Sequence, residues 1–171
     1  SSGNRFIDNA LQQNHNLRYS KYNLFNYTTI FAFLNYTSTK DPVVNRSFFN
    51  GISQISDRVN ANFTNESVSG TFSYQRSFKK FYKASAVTNI TWSKNNQLFV
   101  NPADPTNPAV DFSRSIENWN QFYRVSLGTQ FQKLPNLEAA YGINVNENPG
   151  AVFTTHSPSV TLDYRIIEGL A

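Results

Sequence analysis

The chain has 171 residues, 15 Lys and Arg against 11 Asp and Glu, and no cysteine. That length suits one domain with a real core, and the missing cysteines exclude disulfide scaffolds and thiolate metal sites. The basic residues are scattered (Arg18, Lys21, Arg46, Arg58, Arg76, Lys94, Arg114, Arg124, Arg165) apart from Lys79, Lys80 and Lys83, so no nucleic-acid partner is expected.

Methionine is absent even from position 1, and Ser1 to Asn16 lacks the apolar centre of a signal peptide, so a processed or cut chain is expected. No run of 18 apolar residues is present, which excludes a transmembrane helix. The mean hydropathy of −0.47 would suit a soluble protein. A membrane β-barrel, however, shows lipid only every second residue and scores equally low.

Taken in chain order, the first predicted strand is His15 to Asn23, with Leu17 and Tyr19 opposite Arg18 and Ser20. Phe6 to Gln13 is the one plausible helical turn. After the short link Leu24-Phe25-Asn26, a second strand runs from Tyr27 to Phe49, interrupted at Lys40-Asp41-Pro42. Its faces are Ile30, Ala32, Leu34 and Tyr36 against Phe31, Phe33, Asn35 and Thr37. Asn50-Gly51 is a strong hairpin signal.

The third predicted strand, Ile52 to Ser77, is expected to kink near Asn60 to Asn65. Its second half alternates almost without error. Ser67, Ser69, Thr71, Ser73, Gln75 and Ser77 face Val68, Gly70, Phe72, Tyr74 and Arg76 across the strand. Lys79-Lys80 makes a tight basic turn. The fourth strand, Lys83 to Phe99, sets Ala84, Ala86, Thr88, Ile90 and Trp92 on one face. A long loop with three prolines follows, Asn101 to Ser115.

The fifth strand, Glu117 to Lys133, aligns Trp119, Gln121, Tyr123, Val125, Leu127, Thr129 and Phe131. Leu134-Pro135-Asn136 turns into a sixth strand carrying Leu137, Ala139, Tyr141, Ile143 and Val145. Glu147 to Ser157 is predicted as a loop. The seventh strand sets Val160, Leu162, Tyr164 and Ile166 against Ser159, Thr161, Asp163 and Arg165.

These features predict an all-β chain: an antiparallel up-and-down transmembrane β-barrel segment of about seven long strands, within one region spanning 1–171. A fifth strand of this length would rise roughly 40 Å at 45° tilt, beyond the ~25 Å apolar band of an outer-membrane barrel. Short and long connections alternate as periplasmic turns and extracellular loops do. Aromatics reach 15% and several fall near strand ends, which suits interfacial girdles. The residues expected to face lipid are Ile30, Ala32, Leu34, Tyr36, Val68, Phe72, Tyr74, Ile90, Trp92, Val125, Leu127, Phe131, Tyr141, Ile143, Val160, Leu162 and Tyr164. Arg76, beside the basic turn, is expected at the headgroup level. The competing reading is a soluble β-sandwich binding or adhesion module, whose strands run about 5–6 residues. A structural barrel segment of a larger surface or secretion complex is a third.

The stretch Phe31-Ala32-Phe33-Leu34-Asn35-Tyr36-Thr37-Ser38-Thr39-Lys40-Asp41-Pro42-Val43 resembles the barrel of TonB-dependent outer-membrane receptors of the Bacteroidetes type. Gly3-Asn4 through Asn16-Leu17, Arg58-Val59-Asn60 and Thr88-Asn89-Ile90-Thr91-Trp92-Ser93 are similar to adjoining parts of that family. The resemblance implies a nutrient-uptake transporter with a barrel of about 22 strands, an internal plug, and energy delivered through TonB. About seven strands cannot close a single-chain bacterial barrel, which needs an even number of at least about eight. A C-terminal barrel fragment is therefore expected. Its partners would be outer-membrane lipid, the remainder of its own barrel and plug, and TonB only through other parts. The expected location is the bacterial outer membrane.

No catalytic constellation, phosphate loop or cofactor site is expected, and the chain is not read as an enzyme. His15 and His156 are expected to be solvated, at a strand end and in a loop. Asp104 and Asp111 are weak calcium candidates. Glu138, Asp163, Arg124 and Arg165 are expected to line a wet lumen. Asn-x-Ser/Thr triplets begin at Asn26, Asn35, Asn45, Asn62, Asn65 and Asn89; they are read as a product of composition, since Asn35 and Asn89 lie inside strands.

Overall fold

A computed structural model of the chain describes residues 7–50, 52–101, 103, 111–132 and 134–164. The described residues form nine strands and no helix: β1 (Leu11–Asn23), β2 (Thr28–Lys40), β3 (Val43–Asn50), β4 (Ser53–Asn60), β5 (Thr64–Phe78), β6 (Tyr82–Phe99), β7 (Phe112–Thr129), β8 (Asn136–Asn148) and β9 (Ala151–Asp163). Seven strands make one open sheet in the order β1-β2-β5-β6-β7-β8-β9, and β3-β4 is a separate two-stranded ribbon. The predicted helical turn is overturned, because Leu11 to Gln13 begin β1. Pairing with β2 overrides a weak local preference there.

The chain divides into two compact units: Ser1–His15 with Tyr36–Val68 and Trp92–Asn118, and Asn16–Asn35 with Ser69–Thr91 and Trp119–Ala171. In the first unit, the second and third predicted strands prove to be four. Asp41 takes a left-handed φ of 51° before Pro42, whose ring disfavours a helical predecessor and whose nitrogen cannot donate. The matching break lies at Ala61 to Phe63. The two breaks are tied together: the Asp41 N–H donates to the Phe63 carbonyl (3.0 Å) and the Ala61 N–H to the Pro42 carbonyl (2.9 Å). The Asn60 amide donates to the carbonyls of Asp8 (2.9 Å) and Asp41 (3.2 Å) and accepts from the Asp8 N–H (2.7 Å). What the sequence presents as a kink is thus the base of a hairpin. β3 and β4 pair from Val43↔Asn60 to Asn50↔Ser53; Gly51 of the predicted Asn50-Gly51 turn lies outside the described residues.

In the second unit, β5 and β6 join through Lys79 and Lys80, at φ 47° and 63°, closed by a 3.1 Å bond from the Phe81 N–H to the Phe78 carbonyl. Two left-handed central residues are the mark of a type I′ hairpin turn. β7 pairs with β8 from Trp119↔Glu147 to Gly128↔Glu138, and β8 with β9 from Asn136↔Asp163 to Asn148↔Ala151. The predicted loop Glu147 to Ser157 is therefore corrected to a two-residue turn, Pro149-Gly150, with Gly150 at φ 94°. Its polar run Thr154-Thr155-His156-Ser157 hides the strand, since ladder bonds and not apolar alternation hold it. This turn also breaks the short-long rhythm of the connections. β7 begins at Phe112, inside the predicted Pro-rich loop, and ends at Thr129, before Phe131. The loop residues 102 and 104–110, Lys133, and the end of the seventh predicted strand at Arg165-Ile166 lie outside the described residues.

Among the described residues the only buried hydrophobic side chain is Ala61, at the base of the hairpin. An antiparallel sheet normally covers one face with a second layer. Here Val125, Leu127, Val160 and Leu162 remain 57%, 68%, 73% and 68% exposed.

Candidate functional site

The two faces of the sheet are the surfaces that can act, and the register defines them. In an antiparallel ladder, partners point to the same side. On β7, β8 and β9 this aligns Leu127, Ala139 and Val160 in one row, and Val125, Tyr141 and Pro158 in the next. Tyr123, Ile143 and His156 make the third row, and Leu137 with Leu162 continue the other end. Val125, Leu127, Ala139, Tyr141, Pro158 and Val160 line a shallow apolar trough on this face.

The other residues expected on the lipid side fall as follows. Leu34 shares a face with Gly70, whose absent Cβ would stand 3.7 Å from Leu34 Cδ1. By alternation Ile30 and Ala32 join Leu34, and Phe72 and Tyr74 join Gly70. Ile90 lies on the face of β6 opposite Lys83 and Ser85. In the first unit, Trp92 lies on β6, Tyr36 on β2 and Val68 on β5. There Tyr36 donates its hydroxyl to Glu66 Oε1 at 2.7 Å. Tyr164 follows β9 and is exposed. Phe131 departs from the expectation of a strand position: it sits in the β7–β8 connection, its ring 5.6 Å from Phe81 and 6.4 Å from Tyr82.

The opposite face of the second unit is polar and cross-linked. Lys83 Nζ lies 2.5 Å from Glu138 Oε2, and Arg124 Nη2 lies 3.9 Å from Glu138 Oε1. Lys83 is on β6 and Glu138 on β8, so the ion pair crosses the whole width of β7. It can do so because residue 128 is glycine: a Cβ there would stand 3.0 Å from Lys83 Cε and 3.3 Å from Glu138 Cβ. Ser85 and Ser126 share a 2.7 Å hydroxyl bond beside it, with Ser126 buried. Thr161 pairs with Glu138 and Asp163 with Asn136, placing both on the same side. Glu138 and Arg124 were legible as polar-face residues from alternation. Lys83 as their partner was not, because its reach depends on a missing side chain on the strand between them.

In the first unit a buried ion pair joins the hairpin to the segment entering β7. Arg46 Nε donates to Asp111 Oδ2, and both side chains are almost fully buried. Asp111 Oδ1 also accepts the Asn101 N–H at 3.1 Å, and Asp57 lies 3.7 Å from Arg46 Nη1. This overturns Asp111 as a calcium candidate, since its oxygens are already engaged by an arginine and an amide. Asp104 lies outside the described residues, among which no group of three or more acidic or histidine ligands could hold a metal.

Neither histidine is a loop residue. His15 lies within β1, stacked on Tyr36 at 6.1 Å. His156 lies mid-way along β9, its Nδ1 2.7 Å from the Tyr141 hydroxyl. No helix of the described residues is long and apolar enough to cross a membrane, which leaves strands untouched as a means of crossing. Comparison with known proteins adds nothing to this geometry, since no family model, curated protein or solved structure matches the chain.

Proposed function

We propose that this chain is wall and extracellular-loop segment of an outer-membrane β-barrel, one face against lipid and the other toward a wet interior. One observation supports the wall above all. Three successive rows of the β7–β9 face are apolar (Leu137 with Leu162; Leu127, Ala139 and Val160; Val125, Tyr141 and Pro158) and remain exposed, while the reverse face holds Lys83, Arg124, Glu138 and a Ser/Thr row. A soluble sandwich would need a second sheet over Leu127 and Val160, and none of the described strands covers them. The apolar run from Leu137 to Val145 spans about 27 Å along β8, or about 19–22 Å of height at 35–45° tilt, close to the ~25 Å band of such barrels.

The barrel is read as that of a TonB-dependent receptor for nutrient uptake. That step rests on the sequence resemblance at Phe31 to Val43 and Thr88 to Ser93. Its plug and TonB contact would come from other parts of the protein.

These 171 residues hold no cysteine, so an introduced thiol is unique within them once any cysteine elsewhere in the full-length protein is replaced. Single-cysteine variants at Ser159, Val160, Thr161 and Leu162, placed in the full-length protein in bilayers, should alternate. Residues 160 and 162 should be reached by lipid-soluble quenchers, and 159 and 161 by water-soluble reagents. Equal access to water on both faces would overturn the wall. Binding of the full-length protein to the periplasmic domain of TonB tests the receptor separately; its absence removes the receptor and leaves the wall.

A further inference from the structure

The short-turn end of the second unit carries a basic and aromatic cluster that the wall alone does not explain. Lys79 and Lys80 are both exposed, and no ion pair among the described residues includes either of them. Phe81 is 50% exposed and Leu134 63%. With Lys80, Phe131, Gln130 and Gln132 they line one open groove. The groove is fixed in place. Gln130 donates its N–H to the Phe81 carbonyl (2.7 Å) and its Nε2 to the Lys80 carbonyl (3.1 Å), and shares a 3.4 Å bond with the Ser77 hydroxyl. The Phe81 and Phe131 rings pack against each other, and Arg76 lies over the Phe78 ring at 5.3 Å. A type I′ turn would form most readily on Asn-Gly. This one instead holds two lysines in left-handed conformation beside a half-exposed aromatic floor.

We propose that this groove is a docking site for an anionic phospholipid. Lys79 and Lys80 take the headgroup phosphate, and Phe81, Phe131 and Leu134 take the first methylenes of an acyl chain. Charge complementarity selects this occupant. Cations set beside aromatic side chains, at the edge of an apolar face, match an anionic headgroup joined to hydrocarbon. A free phosphate would leave the rings uncovered, and an acidic soluble peptide would compete for the lysines alone. The inference rests on the wall reading, with the end that bears the β5–β6 and β7–β8 turns facing the periplasmic leaflet and the long β6–β7 connection outside.

The test uses the full-length protein reconstituted in bilayers of phosphatidylcholine doped with phosphatidylglycerol. Annular lipid preference is read by native mass spectrometry and by quenching from brominated phosphatidylglycerol. The wild type should retain phosphatidylglycerol over phosphatidylcholine, and K79Q/K80Q should lower that preference by about tenfold or more. F131A should lower it as well, and K94Q, on a cation paired with Glu117, should not. A preference that survives K79Q/K80Q, or that K94Q lowers equally, overturns the docking site while leaving the wall intact. A wild type that does not insert into any bilayer overturns the wall, and this inference with it.

Discussion

Gly128 decides how the polar face is wired. In a strand interior a glycine costs conformational entropy and offers no side chain to pack. Here the vacancy lets the Lys83 chain pass over β7 to reach Glu138. Gly128→Ala should therefore do more than fill space. Its Cβ would meet Lys83 Cε at 3.0 Å and the Leu137 carbonyl at 3.1 Å. The lysine can swing away, but the carbonyl belongs to the β8 backbone and cannot. We expect Gly128→Ala to destabilise the full-length protein by about 1–3 kcal/mol in urea titrations, the usual cost of forcing a group into a filled site. Adding Lys83→Ala should recover only part of the loss, because the Leu137 contact remains. Full recovery would place all the conflict on the lysine. The sequence marks Gly128 merely as a small residue in the polar row. What it does there depends on neighbours 45 positions before and 10 after it, which no local pattern carries.

At the scale of the element, strands were legible and their ends were not. Alternation is a local signal, so β6 and β8 fall where Ala84 to Trp92 and Leu137 to Val145 place them. Breaks and turns depend on backbone bonds between distant segments. The division of two long predicted strands into four is held by Asp41 with Phe63 and Ala61 with Pro42. In sequence it is signalled by the break at Lys40-Asp41-Pro42, the Asn50-Gly51 turn and the kink expected near Asn60 to Asn65. The β3–β4 hairpin then depends on one buried pair. Removing Arg46 leaves the Asp111 carboxylate buried with the Asn101 amide, and breaking such a pair costs about 3–5 kcal/mol. Arg46→Ala should accordingly raise hydrogen exchange in β3 and β4 while leaving β8 and β9 protected. The double variant R46A/D111A should be milder than Arg46→Ala, since no orphaned charge remains. Equal exchange in both elements would show that the hairpin is not held by this pair.

At the scale of the whole molecule the question is which solvent each face meets. Sequence alternation separates the faces but cannot name their surroundings, because a half-buried soluble strand shows the same period. The structure sharpens this by leaving the apolar rows uncovered. An arginine at Leu127 distinguishes the two environments by its cost. On a face against hydrocarbon, Leu127→Arg should destabilise the bilayer-inserted protein by about 2–4 kcal/mol if the residue sits at mid-depth. An arginine at Thr161, on the opposite, polar face and two residues from Asp163 along β9, should cost little. The contrast should disappear in a detergent-free soluble state, where Leu127 is simply exposed and surface substitutions rarely exceed about 0.5 kcal/mol. Equal costs at both sites in the bilayer would mean that the sheet has no lipid side. A large cost at Thr161 alone would invert the assignment and put the serine and threonine rows on the lipid side.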